Sequence, residues 1–579
     1  MSATIGSGYL ARALDRPGVR PHGMAYWLDE APANAVTLGL ALQHVAIQSV
    51  YFVIPAVVAG SLSPDPADAT RFLALSILAA ALWQALQLLG RGPIGSGYPI
   101  PGTHTAALVG AYSLVGLGGG GFGAAGASLA LAGLAAVGLT FVMRRLRVVL
   151  PNEVAGVVVI LIGVALVLVA TQRLGLQPGG TLPGLEGVGA VFGSLALMVG
   201  VALSRTRAAP FAVLIGATLG VPLALALGTG VPDAMALVER QPWLALPQPW
   251  VPRFDQVAPV PLFAFLVALV ALKATAAGSL VVLQRASDAN WSRPDAPPIR
   301  RGLLANAAAM VAAGVIGAAC PGPATAAVGL SIATGTLARR IVAAGAAMLV
   351  VVALCPKLVT LFVIVPEPVK AAMLFYVAGF IMAQGCQLVT VRMLDTRRTL
   401  IVAFGLSAGV AVAVAPQAFI GAIPVLSSPI SVGAVVAFVV NLMTLPLVSR
   451  RAELDLPLDA RANRSVTDWF DGVAGAWALK SQTARAVEQS LGELTDLLHE
   501  LGSPALRLAA RLAEDRVELT LAWDGAALPD PPAIASPEDL LGPDEVRHAF
   551  SVWLATRQAQ GFRQRGDGAA REAWLAFED

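Results

Sequence analysis

The sequence predicts an all-α polytopic membrane protein of about fourteen transmembrane helices, followed by a small α/β cytoplasmic domain. Three observations carry this. Of 579 residues, 56% are hydrophobic and only 13% charged, with a mean hydropathy of +0.72, where a soluble chain carries about 25% charge. Apolar runs of about 20 residues alternate with short polar loops, which suits helices crossing hydrocarbon; barrel strands would be segments of about 10 residues with alternating polarity. The apolar pattern stops at Arg450-Arg451, and residues 452–579 are charged and long enough for a small soluble domain.

Residues 1–35 are polar and expected in the cytoplasm, with Tyr26-Trp27 as an interfacial anchor. No apolar core followed by a small-residue cleavage site occurs there, so the first hydrophobic helix is expected to direct insertion itself. Spans are predicted near 36–59, 71–90, 100–116, 122–142, 153–171, 188–204, 209–229, 258–284, 302–319, 325–338, 341–364, 368–389, 399–415 and 428–449. The transmembrane region is therefore 36–451, with one half at about 36–229 and the other at about 258–449.

The third and tenth predicted spans share a motif. Pro101-Gly102-Thr103-His104-Thr105-Ala106-Ala107-Leu108 reads against Pro321-Gly322-Pro323-Ala324-Thr325-Ala326-Ala327-Val328. Pro-Gly breaks a helix, and in a bilayer the freed backbone groups must be satisfied by protein or a wet cavity. Matching interruptions in two halves of a membrane chain point to a midplane solute site. Each copy predicts extended backbone leading into a half-helix whose N-terminus turns N–H groups inward. The plainer alternative is two kinks packed through small residues. Pro151-Asn-Glu-Val154 and Pro366-Glu-Pro-Val369 extend the duplication.

Arg and Lys set the orientation. With a cytoplasmic N-terminus, the inner connections hold Arg91, Arg144, Arg145, Arg147, Arg205, Arg207, Arg285, Arg293, Arg300, Arg301, Arg339, Arg340, Arg392, Arg397 and Arg398; the outer ones hold Arg71, Arg173, Arg240, Arg253 and Lys370. Both termini are therefore expected inside.

In the tail, Val473–Leu501 has a helical period, Arg516–Trp523 alternates like a strand, and Ala573–Phe577 suggests another. This order resembles the ATP-binding domain of anti-sigma and histidine kinases, which would make Glu493 the helix acid. The Asn and Gly-rich boxes are missing, and a regulatory or stabilising domain without nucleotide is the plainer expectation.

The membrane region resembles the nucleobase/ascorbate transporter family, the nucleobase:cation symporters typified by uracil and xanthine permeases, over roughly residues 25–450. Leu38 to His44, with Gln43-His44, looks like the first-helix pattern; Pro151, Gly156 and Ile162-Gly163 look like the fifth-helix entry; Gly102 to Ala106 matches the third-span stretch; Gly329 and Thr334-Gly335 fit the tenth. The resemblance implies a 7+7 inverted repeat, with a core domain of spans 1–4 and 8–11 and a gate domain of spans 5–7 and 12–14. It also implies solute between them near spans 3, 8 and 10, proton or sodium coupling, and dimerisation through the gate. The family's span 8 Glu falls, by spacing to Gly278, at Thr275, and its span 10 Glu/Gln-Asn, by spacing to Gly329, at Ala326-Ala327. Both base-reading groups are absent, which weakens hydrogen-bond discrimination.

Candidate substrate-binding residues are Thr103, His104, Thr105, Ala106, Thr275, Ser279, Thr325 and Ala326; Pro101, Gly102, Pro321, Gly322, Gly278, Gly329, Gln43 and Thr334 are structural members of the motifs. His104 either faces the solute or packs at a helix start. His44 is a proton-coupling candidate, a partner for Thr275 or Ser279, or a neutral core histidine. Lys273, in an apolar helix, invites a functional role because a charge at the bilayer centre costs about 2.5–3.5 kcal/mol on insertion scales. It could neutralise an anionic solute, replace a coupling cation, pair at the core–gate boundary, or snorkel. It lies about 200° around the helix from Thr275, so both cannot face one site. Glu153 and Glu367 read as helix-start charges, and Lys357 has no assigned role.

Cys320, Cys355 and Cys386 lack ligand spacing and read as buried small hydrophobes, with no metal or cofactor. The net charge of +3 suggests no nucleic acid. Gly118-Gly119-Gly120-Gly121 lacks a phosphate-loop Lys-Ser/Thr, and no nucleophile–base pattern predicts an enzyme. The expectation is a bacterial inner-membrane symporter of a purine- or pyrimidine-like solute, such as uracil or xanthine. The alternatives are a small-anion transporter on the same fold, or a membrane sensor signalling through residues 452–579.

Overall fold

A computed structural model describes residues 19–146, 151–174, 184–206, 208–230, 234–289, 291, 294–390, 394–415, 428–444, 450–477, 479–513, 516–532, 542–567 and 570–578. Most of the predicted N-terminal segment, and Arg147, Arg207, Arg293 and Arg392 of the orientation set, lie outside them. The chain divides into two compact units, Met1–Arg144 with Val154–Leu388 and Val402–Ala437, and Arg145–Glu153 with Val389–Ile401 and Phe438–Asp579.

The helices run, in chain order, α1 Asn34–Ser49, α2 Val53–Leu62, α3 Pro66–Leu88, α4 Val109–Leu117, α5 Phe122–Leu146, α6 Asn152–Arg173, α7 Leu185–Leu203, α8 Ala212–Ala226, α9 Ala234–Glu239, α10 Pro259–Ser287, α11 Ala296–Ile316, α12 Thr325–Ala333, α13 Arg339–Ala353, α14 Pro356–Val363, α15 Glu367–Val389, α16 Thr396–Val414 and α17 Pro429–Thr444. Among the described residues nine helices are long and apolar enough to cross a membrane, counting α1 and α2 as one. The predicted span 341–364 is instead a pair, α13 and α14, bent by 84°. Pro356 opens the second helix of that pair, where its missing N–H costs least. The predicted span 325–338 ends early, because α12 stops at Ala333 and Gly335 turns with φ +63°.

Close packing uses missing side chains. A Cβ on Gly314 would lie 2.4 Å from the Ala130 nitrogen, so α11 and α5 touch backbone to backbone, as small residues permit in membranes. Tyr26-Trp27 is docked on protein. Tyr26 exchanges backbone bonds with Gly335 (2.9 Å) and Leu337 (2.8 Å), and the Trp27 indole donates to the Ser287 carbonyl at 2.8 Å. The helix-start carboxylates are ion-paired. Glu367 meets Arg173 at 3.2 Å and Lys370 at 2.9 Å, and Glu153 meets Arg398 at 3.3 Å. Lys357 sits 4.9 Å over the Trp243 ring. Of the cysteines only Cys320 is buried; Cys355 is half-buried and Cys386 exposed, and none is in a disulfide.

In the second unit, β3 Arg450–Pro457, β4 Ala505–Ala513, β5 Arg516–Asp524, β6 Gly561–Asp567 and β7 Ala570–Glu578 form an antiparallel sheet of order β3-β4-β5-β7-β6. Helices α18 Ala462–Trp477, α19 Ser481–Glu500 and α20 Asp544–Thr556 accompany it. The predicted helix 473–501 is two helices, and β3, β4 and β6 add strands that the sequence reading did not assign. Alternation explains the sheet, since β5 buries every second residue from Val517 to Trp523 against Phe470, Leu491 and Leu494. Glu493 is half-buried on α19, and burial followed by neighbouring Asp496 pushes its carboxyl above the usual range.

Candidate solute site

The two Pro-Gly segments meet. Gly102–His104 forms a strand, β1, paired antiparallel with Pro321–Pro323, β2, in the register Gly102 to Pro323, Thr103 to Gly322 and His104 to Pro321. Flanking bonds continue the contact, from the Ala324 N–H to the Pro101 carbonyl (2.8 Å) and from the Thr105 N–H to the Cys320 carbonyl (3.2 Å).

Groups that helix would otherwise bond are satisfied from neighbouring helices. The Gly102 N–H donates to Gln84 Oε1 at 2.8 Å, and Gln48 Nε2 donates to the Gly102 carbonyl at 2.5 Å and to Gln84 Oε1 at 2.7 Å. The Gln84 amide nitrogen continues to the Val342 carbonyl at 2.5 Å. Ser76 accepts the Ala319 N–H at 2.9 Å. An unmade backbone bond in a dry interior costs several kcal/mol, so these buried amides are what allow the break. Gly102 is required sterically, since a Cβ there would lie 2.6 Å from the Ala80 carbonyl oxygen.

Beside the paired strands lies a cavity of about 530 Å³. Thr103, His104, Thr105 and Ala106 border it from the first break, Gly322, Pro323, Thr325 and Ala326 from the second, and Thr275 from α10. Val159 and Ile162 of α6 and Tyr376, Phe380 and Gln384 of α15 close the other side, with Tyr51 and Asn306 completing the polar set. Among the described lining residues none carries an Asp, Glu, Lys or Arg side chain. Seven of the eight residues singled out for binding border this space. Ser279 does not; it lies one turn beyond Thr275 and donates to the Thr275 carbonyl at 2.9 Å.

His104 is 1% exposed, and among the described residues neither ring nitrogen makes a hydrogen bond of good distance and angle, although the Ser76 backbone bears on the ring; Phe52 meets it edge-on at 5.8 Å. Thr103 Oγ1 and Asn306 Nδ2 are likewise buried without partners. Lys273 turns away from the cavity, as the helical period requires. Its ammonium donates to Thr140 Oγ1 at 2.8 Å and to the Leu303 carbonyl at 2.7 Å. His44 pairs through Nε2 with Ser331 Oγ at 3.1 Å, not with Thr275 or Ser279. Gln43 is half-buried, and the glutamine that reaches the break is Gln48. Gln48, Gln84 and Asn306 were missed by sequence reasoning; a lone carboxamide in an apolar span is itself the signal that could have found them. No group of three or more His, Cys, Asp or Glu among the described residues could hold a metal ion.

Residues 35–418 match the profile of the permease family named for xanthine and uracil permeases. The chain is 25% identical to the xanthine permease XanQ of Escherichia coli strain K12, over 74% of this chain and 97% of that one. It is 26% identical to a Clostridium perfringens protein provisionally named a purine permease, over 69% of this chain and 88% of that one. Among solved structures, murine Solute Carrier 26 family member A9, an anion transporter in the inward-facing state, aligns with a TM-score of 0.50 at 10% identity. That alignment covers 74% of this chain and 71% of that one, a likeness of fold alone.

Proposed function

The chain belongs to the xanthine and uracil permease family, and on that premise we propose that it carries an uncharged, nucleobase-like heterocycle of the uracil or xanthine kind across the membrane by alternating access. Membership makes it a multi-pass membrane transporter rather than an enzyme. The observation that carries the substrate reading is the cavity beside the paired breaks. It is walled by apolar side chains, hydroxyls, one imidazole and two carboxamides, with no charged residue among the described lining residues. A flat neutral ring gains dispersion and hydrophobic burial there while its edge finds donors and acceptors. A small anion would lose hydration to walls that offer it no cation, and Lys273 is committed elsewhere.

In this reading α1–α5 and α10–α14 are the core, carrying the two breaks, and α6–α8 and α15–α17 are the gate, in a 7+7 inverted repeat. Movement of core against gate would open the cavity to alternate sides. Thr103, His104, Thr105, Ala106, Thr275, Thr325 and Ala326 contact the solute. Coupling to a proton or sodium ion, a homodimer through the gate helices, cytoplasmic termini and a bacterial inner-membrane location belong to the same proposal. The test is uptake of labelled uracil and xanthine by cells expressing the chain, with unlabelled competitors. Competition by nucleobases and not by small carboxylates or bicarbonate is the expected result; the reverse pattern ends this reading.

A further inference from the structure

Asn306 on α11 is 1% exposed and borders the cavity. Its Oδ1 accepts a hydrogen bond from the Trp83 indole at 2.7 Å. An indole N–H only donates, so the bond fixes which way round the carboxamide lies: oxygen toward Trp83, nitrogen away from it. Nδ2 then has two N–H bonds and no partner among the described residues. A buried donor left so is desolvated with nothing to compensate it.

The indole cannot easily release the amide. Trp83 is fully buried, packs with Ile100, Leu280 and Val328, and lies 3.0 Å from where a Cβ on Gly102 would stand. Its position is therefore set by the first break itself. The two other lining side chains with fully buried, unpartnered polar atoms among the described residues, Thr103 and His104, are bivalent: a hydroxyl or a neutral imidazole can give or take a bond. Asn306 Nδ2 is, among the described residues, the fully buried unpartnered group of this lining that can only donate; the other carboxamide, Gln384, is exposed.

We propose that Asn306, oriented by Trp83 as its positioning residue, selects solutes that present an acceptor to α11, a ring oxo group or unprotonated ring nitrogen, over analogues with an amino group in that place. This rests on the transport reading above and narrows its substrate class to bases that carry an acceptor rather than an amino group at that position. A position that offers only a donor, as Asn306 does, leaves an amino substituent facing N–H bonds with nothing there to receive its own. Discrimination built on such a mismatch is larger than any that apolar shape supplies.

The test is thermal-shift titration of the purified full chain with uracil and xanthine against cytosine and adenine. Uracil and xanthine stabilise the wild type at lower concentration than cytosine and adenine, which carry an amino group where the first two carry an oxo group. In Asn306→Asp the second carboxylate oxygen replaces the donor, and the preference shifts toward amino bases by about tenfold or more. Trp83→Phe frees the amide to turn and shrinks the preference, but changes the ranking no further in an Asn306→Leu background; a purely structural tryptophan would not show that dependence. Asn306→Ser, smaller and uncharged, serves if the aspartate variant does not fold, and flattens the ranking. Wild-type ranking and affinity within about twofold in both Asn306→Leu and Asn306→Ser overturn the inference and leave the transport reading standing. A wild type stabilised by no nucleobase overturns both.

Discussion

His104 combines burial with two unpaired ring nitrogens beside an uncharged cavity, a state that costs energy unless a ligand completes it. His104→Ala is expected to weaken nucleobase binding by about ten- to a hundredfold in a thermal-shift titration, while expression and monodispersity hold. Lys273 is the opposite case. Its ammonium is consumed by Thr140 and the Leu303 carbonyl, away from the cavity. Lys273→Met should therefore leave solute affinity within about threefold of wild type, since replacing a buried charge by an apolar chain of similar volume is often tolerated. A large loss of affinity would return the lysine to the site.

Two elements, β1 and β2, exist only because their surroundings replace helix bonds. Gln84→Leu strands the Gly102 N–H and frees Gln48, which should cost about 1–3 kcal/mol, read as a lower melting temperature together with lost uptake. Gly102→Ala forces a Cβ to within 2.6 Å of the Ala80 carbonyl oxygen. The strand must shift, and uptake should be abolished even where protein accumulates in the membrane. Farther along, Arg173 at the end of α6 binds Glu367 at the start of α15 and the Val57 carbonyl of α2 at 2.6 Å. Glu367 is partly exposed, so Arg173→Met should lower stability by only about 1 kcal/mol. If core and gate move apart at this end, it should change the transport rate more than the affinity, as a comparison of maximal rate with half-saturation would show.

At the scale of the whole chain, the second unit has its own apolar core, built between the five-stranded sheet and helices such as α19. Deleting residues 452–579 tests the sensor alternative. Retained uptake is the expected outcome and makes the tail an accessory; binding without uptake in both the full chain and the truncated one would make the protein a sensor.

Hydropathy, Pro-Gly and spacing were enough to read a multi-pass helical protein, to place the two breaks and to name seven of the residues that border the cavity, because each is a local or periodic property. The helical period alone separated Thr275 from Lys273. Composition could not show that Pro356 would split a span, that Val473–Leu501 would become two helices, or that Gln48 and Gln84, rather than the motif's Gln43, would hold the break open. Those outcomes depend on which distant backbone groups go unpaired and which side chains come within reach of them. Only the meeting of α1, α3 and α11 with the two strands decides that, and the same meeting turns the Asn306 amide by way of Trp83.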